Sequence, residues 1–296
     1  YYAAMDADTD GEEGKYYSFK LNEIEQIAGG EINLFNSFFN IDKDNPWDNN
    51  KFLLLPTRDI ESWLRSNKIN KDEFLKIKES WFNEIMKIKS KRTKPRIDDK
   101  TIISWNALSI IGLIDAYEAF KDDLLLSKAK NMFSGLLKMG YKNNKLIHTF
   151  KGRQFQDGVL EDYAFLSKAA MRLFQATGEE SYFNKSKEIV DNSIKLFEDE
   201  ESDLLLYTTN KELFTKIVSI DDGVIPSPNS IIAEQLFNIG HVIFDDYYID
   251  LSNKMVSAVK EKIDGNINFY SVWANNILNR VELFYEIAVI GKDADS

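Results

Sequence analysis

Residues 101–120 read TIISWNALSIIGLIDAYEAF, and this stretch decides the fold. Within Ile102–Phe120, 13 of 19 positions are apolar, and they fall on nearly every side of a helix. A helix that is apolar nearly all round is buried nearly all round. The preceding segment Lys71–Lys89 has a single apolar stripe instead, with Lys and Glu on its other face. The sequence therefore predicts two classes of helix, inner and outer.

The same contrast recurs further along the chain. Leu160–Thr177 is mostly apolar and precedes the one-sided segment Tyr182–Phe197, and the apolar segment Ser230–Ile239 precedes the one-sided segment Asp246–Ile263. The predicted inner helices begin near residues 101, 160 and 228, at intervals of 59 and 68 residues. A helical hairpin repeated at this period predicts an array in which each hairpin buries its apolar face on the next.

The predicted fold class is all-α, an α/α toroid of helical hairpins that this chain contains only in part. Strand-like pieces at Lys145–Phe150 and Leu204–Thr208 predict short β-hairpins in the connections between helical hairpins. Gly178 and Gly240 predict helix ends, because the left-handed conformation that follows many helices favours glycine. Binding by separate tandem helical repeats is the alternative architecture.

Composition leaves carboxylates as the main chemical groups. Asp and Glu total 48 against 37 Lys and Arg, so the net charge is −11, which disfavours nucleic acid as a partner. The absence of cysteine excludes disulfides and thiolate chemistry, and the only histidines are His148 and His241. No apolar run of about 18 residues is present, so no membrane span is predicted.

Acidic clusters stand before or at the start of the predicted inner helices. They are residues 6–13 (DADTDGEE), 98–100 (DDK), 158–163 (GVLEDY) and 221–223 (DDG). If the hairpins stack round one axis, the starts of all inner helices lie at one mouth, and residues far apart in sequence meet there. The alternative is that these acids cap free N–H groups and face the positive ends of the helices.

Two of these clusters contain adjacent acids, Asp98–Asp99 and Glu161–Asp162. Because a helix cap needs one acid, each doublet leaves one acid for another role. Glycoside chemistry uses two carboxyl groups, about 5–5.5 Å apart in retaining enzymes and about 6.5–9.5 Å apart in inverting enzymes. We therefore predict that one of Asp98 or Asp99 pairs with one of Glu161 or Asp162, as general acid and base.

Other polar and aromatic residues near the acidic clusters are candidates for binding a saccharide. They are Lys100, Trp105, Asn106, His148, Tyr163, Asp222 and Asn229. Aromatic rings can stack on sugar faces, although at helical spacing they belong more often to the core.

The acidic run near the start of the chain partly matches a calcium-binding EF-hand loop. Asp6, Asp8 and Asp10 correspond to its first half. Tyr17 stands where that loop requires a bidentate Glu, so the match fails at its most important ligand. We therefore expect neither a metal nor a cofactor.

Four motifs follow one another along the chain. They are residues 6–17 (DADTDGEEGKYY), 91–100 (KRTKPRIDDK) with 104–106 (SWN), 160–166 (LEDYAFL) and 222–230 (DGVIPSPNS). In this order they resemble the spermatogenesis-associated, thioredoxin-domain-containing proteins found from bacteria to animals. Ala107 and Pro228 stand where the family would have glycine.

The resemblance implies a longer protein in which a thioredoxin-like domain precedes a six-hairpin (α/α)6 toroid, similar to N-acylglucosamine 2-epimerases and six-hairpin glycosidases. Residues 1–296 would be a single toroid domain, roughly its later half, without the thioredoxin-like domain and the first hairpins. We expect that upstream domain as a partner within the same protein, a cytoplasmic location, and neither nucleic acid nor membrane as a partner. The resemblance implies no specific activity.

Three functional hypotheses follow from these residues. The first is a carbohydrate-processing or carbohydrate-binding toroid with a glycosidase-like pair of carboxylates at its mouth. The second is a non-catalytic scaffold or client-binding module for the thioredoxin-like domain, in which the acid doublets form caps and salt bridges. The third is a sugar epimerase or isomerase with His148 as its base.

Overall fold

The computed structural model describes residues 1–152, 154–210, 214–263 and 265–281 of the chain. The chain divides into two compact units. Ala4–Asp99 form the N-terminal unit, whereas Tyr1–Ala3 and the residues from Lys100 onward form the C-terminal unit. The single toroid domain expected for residues 1–296 stays a prediction.

The N-terminal unit joins short strand pairs to helices. Its elements are β1 (Ala4–Met5), β2 (Asp8–Thr9), β3 (Glu12–Glu13), β4 (Phe19–Lys20), α1 (Leu21–Ala28), α2 (Ile32–Phe39), β5 (Lys51–Phe52), α3 (Ile60–Asn67), α4 (Lys71–Ser90) and β6 (Ile97–Asp98). Strands β1 and β6, β2 and β3, and β4 and β5 pair in antiparallel fashion. Helix α4 confirms the helix predicted at Lys71–Lys89.

Aromatic side chains fill the core of the N-terminal unit. Helix α4 buries Phe74, Trp81 and Ile88, which recur every seven residues on one face. The ring centroid of Trp81 lies 5.0 Å from that of Phe35, and the centroid of Phe74 lies 5.0 Å from that of Phe38. Aromatic pairs at such distances stabilise a core beyond the area they bury. The predicted apolar stripe of α4 is therefore the face that this core covers.

Helical hairpins form the C-terminal unit. Its elements are β7 (Thr101–Ile102), α5 (Ile103–Phe120), α6 (Asp123–Gly140), β8 (Tyr141–Lys142), β9 (Lys145–Lys151), β10 (Gln154–Asp157), α7 (Leu160–Thr177), α8 (Glu180–Phe197), α9 (Pro228–Ile243), α10 (Asp246–Ile263) and α11 (Ser271–Val281). Helices α5, α7 and α9 are the inner helices, and each is followed by an outer helix. The inner helices pack in chain order, α5 on α7 and α7 on α9.

Burial separates α7 and α9 from the outer helices as the sequence pattern predicts. The prediction that α5 is buried nearly all round is wrong, because it leaves Trp105 and Phe120 exposed. In the described part of its unit, α5 packs on one inner helix, α7, whereas α7 packs on two. Along α7, the consecutive residues Tyr163, Ala164, Phe165 and Leu166 are all buried, so the helix is enclosed on every side. The outer helix α8 buries one stripe instead: Phe183, Ser186, Ile189, Val190, Ser193 and Phe197. Each fully buried Leu or Phe side chain contributes about 1.5–3 kcal/mol of transfer free energy. The inner helices therefore supply most of the hydrophobic stabilisation of this unit.

A serine on α8 and a serine on α10 bind each outer helix to its inner partner. The Oγ of Ser186 donates to the carbonyl oxygen of Ser167 at 2.9 Å, and the Oγ of Ser252 donates to the carbonyl oxygen of Ala233. Both bonds span 19 residues. The two hairpins therefore place the same polar link at the same point of the repeat.

The connection between α6 and α7 forms a small antiparallel sheet. Strand β9 pairs with β8, with β10 and with β7, where Thr101 lies opposite Phe150 and Ile102 lies opposite Thr149. This confirms the strand predicted at Lys145–Phe150. It also fixes β9 beside the starts of α5 and α7.

The strand predicted at Leu204–Thr208 is wrong, because these residues form an irregular connection. The side chain of Asn229 accepts the N–H of Leu205 at 2.8 Å and donates to the Leu205 carbonyl oxygen at 3.0 Å. The amide side chain thereby satisfies the backbone groups that a neighbouring strand would bind.

The class of the fold is all-α, with a few short strand pairs in the connections, as the sequence predicts. Among the helices within the described ranges, none combines the length and the apolar composition that crossing a bilayer requires.

Candidate functional site

Strand β9 and helix α7 bring His148 against Asp162, and we call these two side chains the His–Asp dyad. Nδ1 of His148 lies 2.9 Å from Oδ2 of Asp162 and 3.1 Å from Oδ1. Because an ionised carboxylate can only accept, Nδ1 carries the hydrogen, and Nε2 is the nitrogen left for another partner. The His148 side chain is 23% exposed, whereas that of Asp162 is fully buried.

Asp162 also holds the starts of two inner helices. Its Oδ2 accepts the N–H of Val159 at 2.9 Å, just before α7, and its Oδ1 accepts the N–H of Ser104 at 3.1 Å, in the first turn of α5. A carboxylate at this place satisfies free N–H groups and faces the positive end of each helix. Since both oxygens are engaged and no surface is exposed, Asp162 positions other groups here, and its role as a general acid or base stays a prediction.

Glu161, the other acid of the doublet, is only partly buried. The Oγ of Ser104 donates to its Oε1 at 2.9 Å. Burial, the negative charge of Glu161 and a hydrogen bond to Glu161 raise the pKa of the Tyr207 phenol. Glu161 is therefore fixed by a serine while part of its surface stays open to solvent.

The electrostatics of the dyad favour the charged imidazole. The hydrogen bond to Asp162 raises the pKa of His148 above 6.5, and the charges of Asp162 and Glu161 act in the same direction, while burial acts against them. A base works best when its pKa lies near the working pH. The dyad therefore gives His148 a stabilised protonated form, which is the form a base acquires on taking up a proton.

We expect the imidazole of His148 to titrate above pH 6.5 because Asp162 accepts its Nδ1 hydrogen. Proton NMR can follow both histidines of the chain, and the signal lost in His148→Gln identifies the one in question. Since the folded pKa is raised, the stabilisation by the dyad is complete below about pH 6.5 and is lost as pH rises through the pKa of folded His148. Titration of the His148 signal below pH 6.5 would contradict the dyad.

Three groups of the site lie close enough to share a cation. His148, Glu161 and Asp162 offer ligand atoms that all lie within 4.8 Å of one another. Imidazole nitrogen and carboxylate oxygen are ligands that zinc and similar divalent ions accept. A cation held by all three would have to replace the hydrogen bond between His148 and Asp162, so the described contacts fit the dyad better than a metal site.

Gly158 lets strand β9 approach the start of α7. A Cβ at this position would lie 2.5 Å from the carbonyl oxygen of Leu146 and 2.9 Å from its carbonyl carbon. The N–H of Gly158 donates to the same oxygen at 2.9 Å. Because backbone atoms cannot swing aside, only glycine fits here, and the placement of His148 on β9 depends on it.

Gly158→Ala is expected to lower the free energy of unfolding by about 1–3 kcal/mol, since the added methyl group overpacks against backbone. The matched control is Gly112→Ala inside α5, where a Cβ would meet nothing within 4 Å. That change should stabilise by about 0.5–1 kcal/mol through helix propensity. Urea unfolding of both variants measures the difference, and equal stabilities would rule out the close approach.

The structure gives two of the predicted ligand residues internal partners. Tyr163 is buried, and its hydroxyl accepts the N–H of Leu146 at 2.8 Å. Asn229 is fully buried and binds Leu205 through both ends of its side-chain amide. These contacts anchor loops to inner helices, and ligand binding by Tyr163 and Asn229 stays a prediction.

Asp222 joins the starts of α9 and α11. Its Oδ1 accepts the N–H of Ser227 at 2.9 Å, and its Oδ2 accepts the N–H of Val272 at 2.8 Å. Asp222 is 7% exposed. Capping, the alternative that the sequence leaves open, therefore accounts for this acid in the same way as for Asp162.

The first turn of α5 carries two further predicted residues. Asn106 is buried, and its Nδ2 donates to the carbonyl oxygen of Ile102 at 2.9 Å. Trp105 points outward with 47% of its surface exposed. Asn106 also binds Tyr1, whose carbonyl oxygen accepts from Nδ2 at 3.1 Å and whose amino group donates to Oδ1 at 2.5 Å. Ligand binding by Trp105 and Asn106 stays a prediction.

The predicted acid pair spans the division of the chain. Asp98 and Asp99 are the last residues of the N-terminal unit. Lys100, Glu161 and Asp162 belong to the C-terminal unit. Asp98, Asp99 and Lys100 each take part in a polar or electrostatic contact. Their pairing with the doublet on α7 stays a prediction.

Ser104 was not predicted as a site residue, although the structure places it between both acids of the doublet. Its N–H binds Asp162 and its hydroxyl binds Glu161. The signal in the sequence is a single serine at the start of an otherwise apolar inner helix, inside the SWN motif.

Comparison with known proteins gives relatives at low identity. The chain matches no protein-family model. It is 22% identical to an uncharacterized protein of Caenorhabditis elegans, over 89% of the chain and 41% of that protein. It is 23% identical to human spermatogenesis-associated protein 20, over 62% of the chain and 25% of that protein. Spermatogenesis-associated protein 20 is a homologue. This confirms the resemblance, and the chain spans less than half the length of either relative.

Solved structures place this homologue of spermatogenesis-associated protein 20 in a fold class. It superimposes on a GH76 α-mannanase of Bacteroides thetaiotaomicron with a TM-score of 0.50 at 15% identity, over 87% of the chain and 65% of the mannanase. A cellobiose 2-epimerase of Bacillus thermoamylovorans matches with a TM-score of 0.46 at 14% identity, over 67% and 57% of the two chains. The mannanase likeness concerns the fold alone and confirms the predicted α/α toroid class.

Proposed function

We propose that the C-terminal unit processes a saccharide by proton transfer, with Nε2 of His148 as the base and Glu161 as the partner carboxylate. One observation carries the proposal. Asp162, fully buried, accepts the Nδ1 hydrogen of His148 at 2.9 Å and leaves Nε2 on a side chain that is partly exposed. A base oriented in this way by a buried carboxylate is prepared to take a proton from a bound molecule.

The chemistry that fits these groups is proton removal from the carbon next to a sugar carbonyl. Neutral His148 takes the proton from C2 of an open-chain aldose at Nε2, and Asp162 stabilises the imidazolium that forms. His148 then returns the proton to C1, while Glu161 moves the hydroxyl proton from O2 to O1. The product is the ketose.

Hydrolysis of a glycoside by two carboxylates is the alternative reaction. Glu161, half-buried and fixed by Ser104, suits the role of one acid. Asp162 does not suit the role of the other, because it is buried with both oxygens engaged. The alternative therefore requires Asp98 or Asp99 from the N-terminal unit as the second acid.

Proton NMR in D2O tests the proposal with the full chain. Glucose, mannose, galactose, fructose and cellobiose are incubated with the protein, and deuterium entry at C1 of ketoses, at C2 of aldoses, and new isomers are followed. A parallel sample with α-1,6-mannotriose measures the release of reducing ends. We expect deuterium entry with at least one reducing sugar. Hydrolysis without deuterium entry would favour the carboxylate pair. Absence of both reactions would favour the scaffold hypothesis.

For the whole protein we also propose a thioredoxin-like domain upstream of this chain and a cytoplasmic location. Neither is needed for the chemistry of the His–Asp dyad.

A further inference from the structure

The N-terminal unit contains a cavity of about 600 Å³ that the proposed function does not use. Two of the sequence motifs build much of its wall. Residues 6–17 contribute Thr9 and Lys15, and residues 91–100 contribute Lys91 and Arg92. Motifs far apart in sequence thus meet at one concave surface of a size typical for small-molecule sites. We call it the basic cavity.

Cations outnumber carboxylates on the wall of the basic cavity. The cations are Lys15, Lys20, Lys51, Lys91 and Arg92, and the acids are Asp10, Glu12 and Glu23. Three ion pairs engage every one of these acids: Lys15 with Asp10, Lys51 with Glu12, and Arg92 with Glu23. Lys20 and Lys91 form no ion pair with any carboxylate that the structure describes. The cavity therefore carries surplus positive charge in a chain whose net charge is −11.

Hydrogen bonds fix the Arg92 side chain in the wall of the basic cavity. Its Nη1 donates to the carbonyl oxygens of Lys15, Tyr16 and Ser18 at 3.2, 3.0 and 2.8 Å. Its Nη2 binds both carboxylate oxygens of Glu23, at 2.7 and 2.8 Å. With these contacts the guanidinium ties the loop after β3 to α1, so the wall is formed before any ligand arrives.

The wall of the basic cavity also carries the buried hydroxyl of Thr9. Thr9 lines the basic cavity and is 5% exposed. Its hydroxyl has no hydrogen-bond partner among the described residues. Buried polar groups in folded proteins nearly always have such a partner, so an unpaired hydroxyl at a cavity points to a ligand that provides one.

We propose that the basic cavity binds the phosphate group of a small phosphate ester. Phosphate oxygens accept hydrogen bonds only, which suits the ammonium groups of Lys20 and Lys91 and the hydroxyl of Thr9. The carboxylates already paired along the wall can accept hydroxyl hydrogens from the rest of the ester. A neutral sugar would leave the surplus charge uncompensated.

Calorimetric titration of the full chain tests the proposal with three probes: inorganic phosphate, glucose 6-phosphate and glucose. We expect saturable binding of both phosphate-bearing probes and competition between them, whereas any binding of glucose at the His–Asp dyad should be unaffected by inorganic phosphate. Loss of two cations in Lys20→Gln/Lys91→Gln should raise Kd by about tenfold or more. Thr9→Val should raise Kd without lowering the melting temperature, because the free protein leaves that hydroxyl unpaired.

The matched control is Lys76→Gln/Lys78→Gln, which removes the same charge from exposed positions on α4 outside the cavity. Its Kd should equal that of the unmodified chain. Equal weakening in both double variants would mean unspecific attraction and would overturn the proposal, as would absence of saturable phosphate binding or displacement of phosphate by glucose. Dependence of phosphate binding on Lys20 and Lys91 assigns it to the N-terminal unit, so its outcome is separate from that of the sugar test.

Discussion

His148→Gln is expected to reduce saccharide turnover by about 10²–10⁴-fold, which is the range that a positioned general base contributes. Glutamine keeps a hydrogen-bonding group near Asp162 but cannot take up a proton. The loss should appear in kcat rather than in KM, because proton removal belongs to the transition state and not to binding. The initial rate of ketose formation, followed by proton NMR at saturating sugar, gives kcat directly.

His241→Gln is the matched control, since it makes the same change at the only other histidine. The ring of His241 packs against Phe237 on α9, with centroids 4.3 Å apart, and it takes no part in the dyad. This variant should keep the rate of the unmodified chain. If both histidine variants turn over sugar equally well, His148 is not the base.

Asp222→Asn is expected to lower the free energy of unfolding by about 2–4 kcal/mol. The carboxylate of Asp222 accepts N–H groups at the starts of two helices, from Ser227 at 2.9 Å and from Val272 at 2.8 Å. An amide in its place turns a donor toward one of those N–H groups and leaves it buried without an acceptor. Urea unfolding followed by circular dichroism measures the loss.

The adjacent Asp221→Asn serves as its control. Asp221 is exposed, so removal of its charge should change stability by less than about 1 kcal/mol. Near-equal losses in the two variants would mean that net charge, and not the buried acceptor, is responsible. This pair of measurements therefore separates the capping role from general electrostatics.

The helical frame was predictable from the sequence because burial follows apolar periodicity. The enclosed α7 and the one-sided α4 both lie where their patterns indicate. Helix α5 is less buried than its apolar composition predicts, because burial depends also on how many helices pack round it. Gly178 ends α7 with a φ of 69°, in the left-handed conformation that was predicted. Gly240 does not end α9, which continues to Ile243. A Cβ at Gly240 would lie 2.6 Å from the side chain of Ile249, so this glycine serves close packing and not a helix end.

The site was predictable only in part, because sequence spacing does not reveal which of two neighbouring acids caps the free N–H groups at a helix start. The doublet on α7 was singled out, yet nothing local distinguishes Asp162, buried against His148, from the half-open Glu161. The partner of Asp162 on α5 lies 58 residues earlier in the chain. Such long-range contacts depend on how the hairpins pack, which periodicity does not specify.

The sharing of one carboxylate by two helix starts has a consequence for local unfolding. Asp162 accepts the N–H of Ser104 on one hairpin and the N–H of Val159 on the next. Fraying of either helix start exposes the same buried charge, so neither can open without loosening the other. The two hairpins thus behave as one cooperative unit at this end, and His148, bonded to that same carboxylate, keeps its orientation for as long as this unit stays closed.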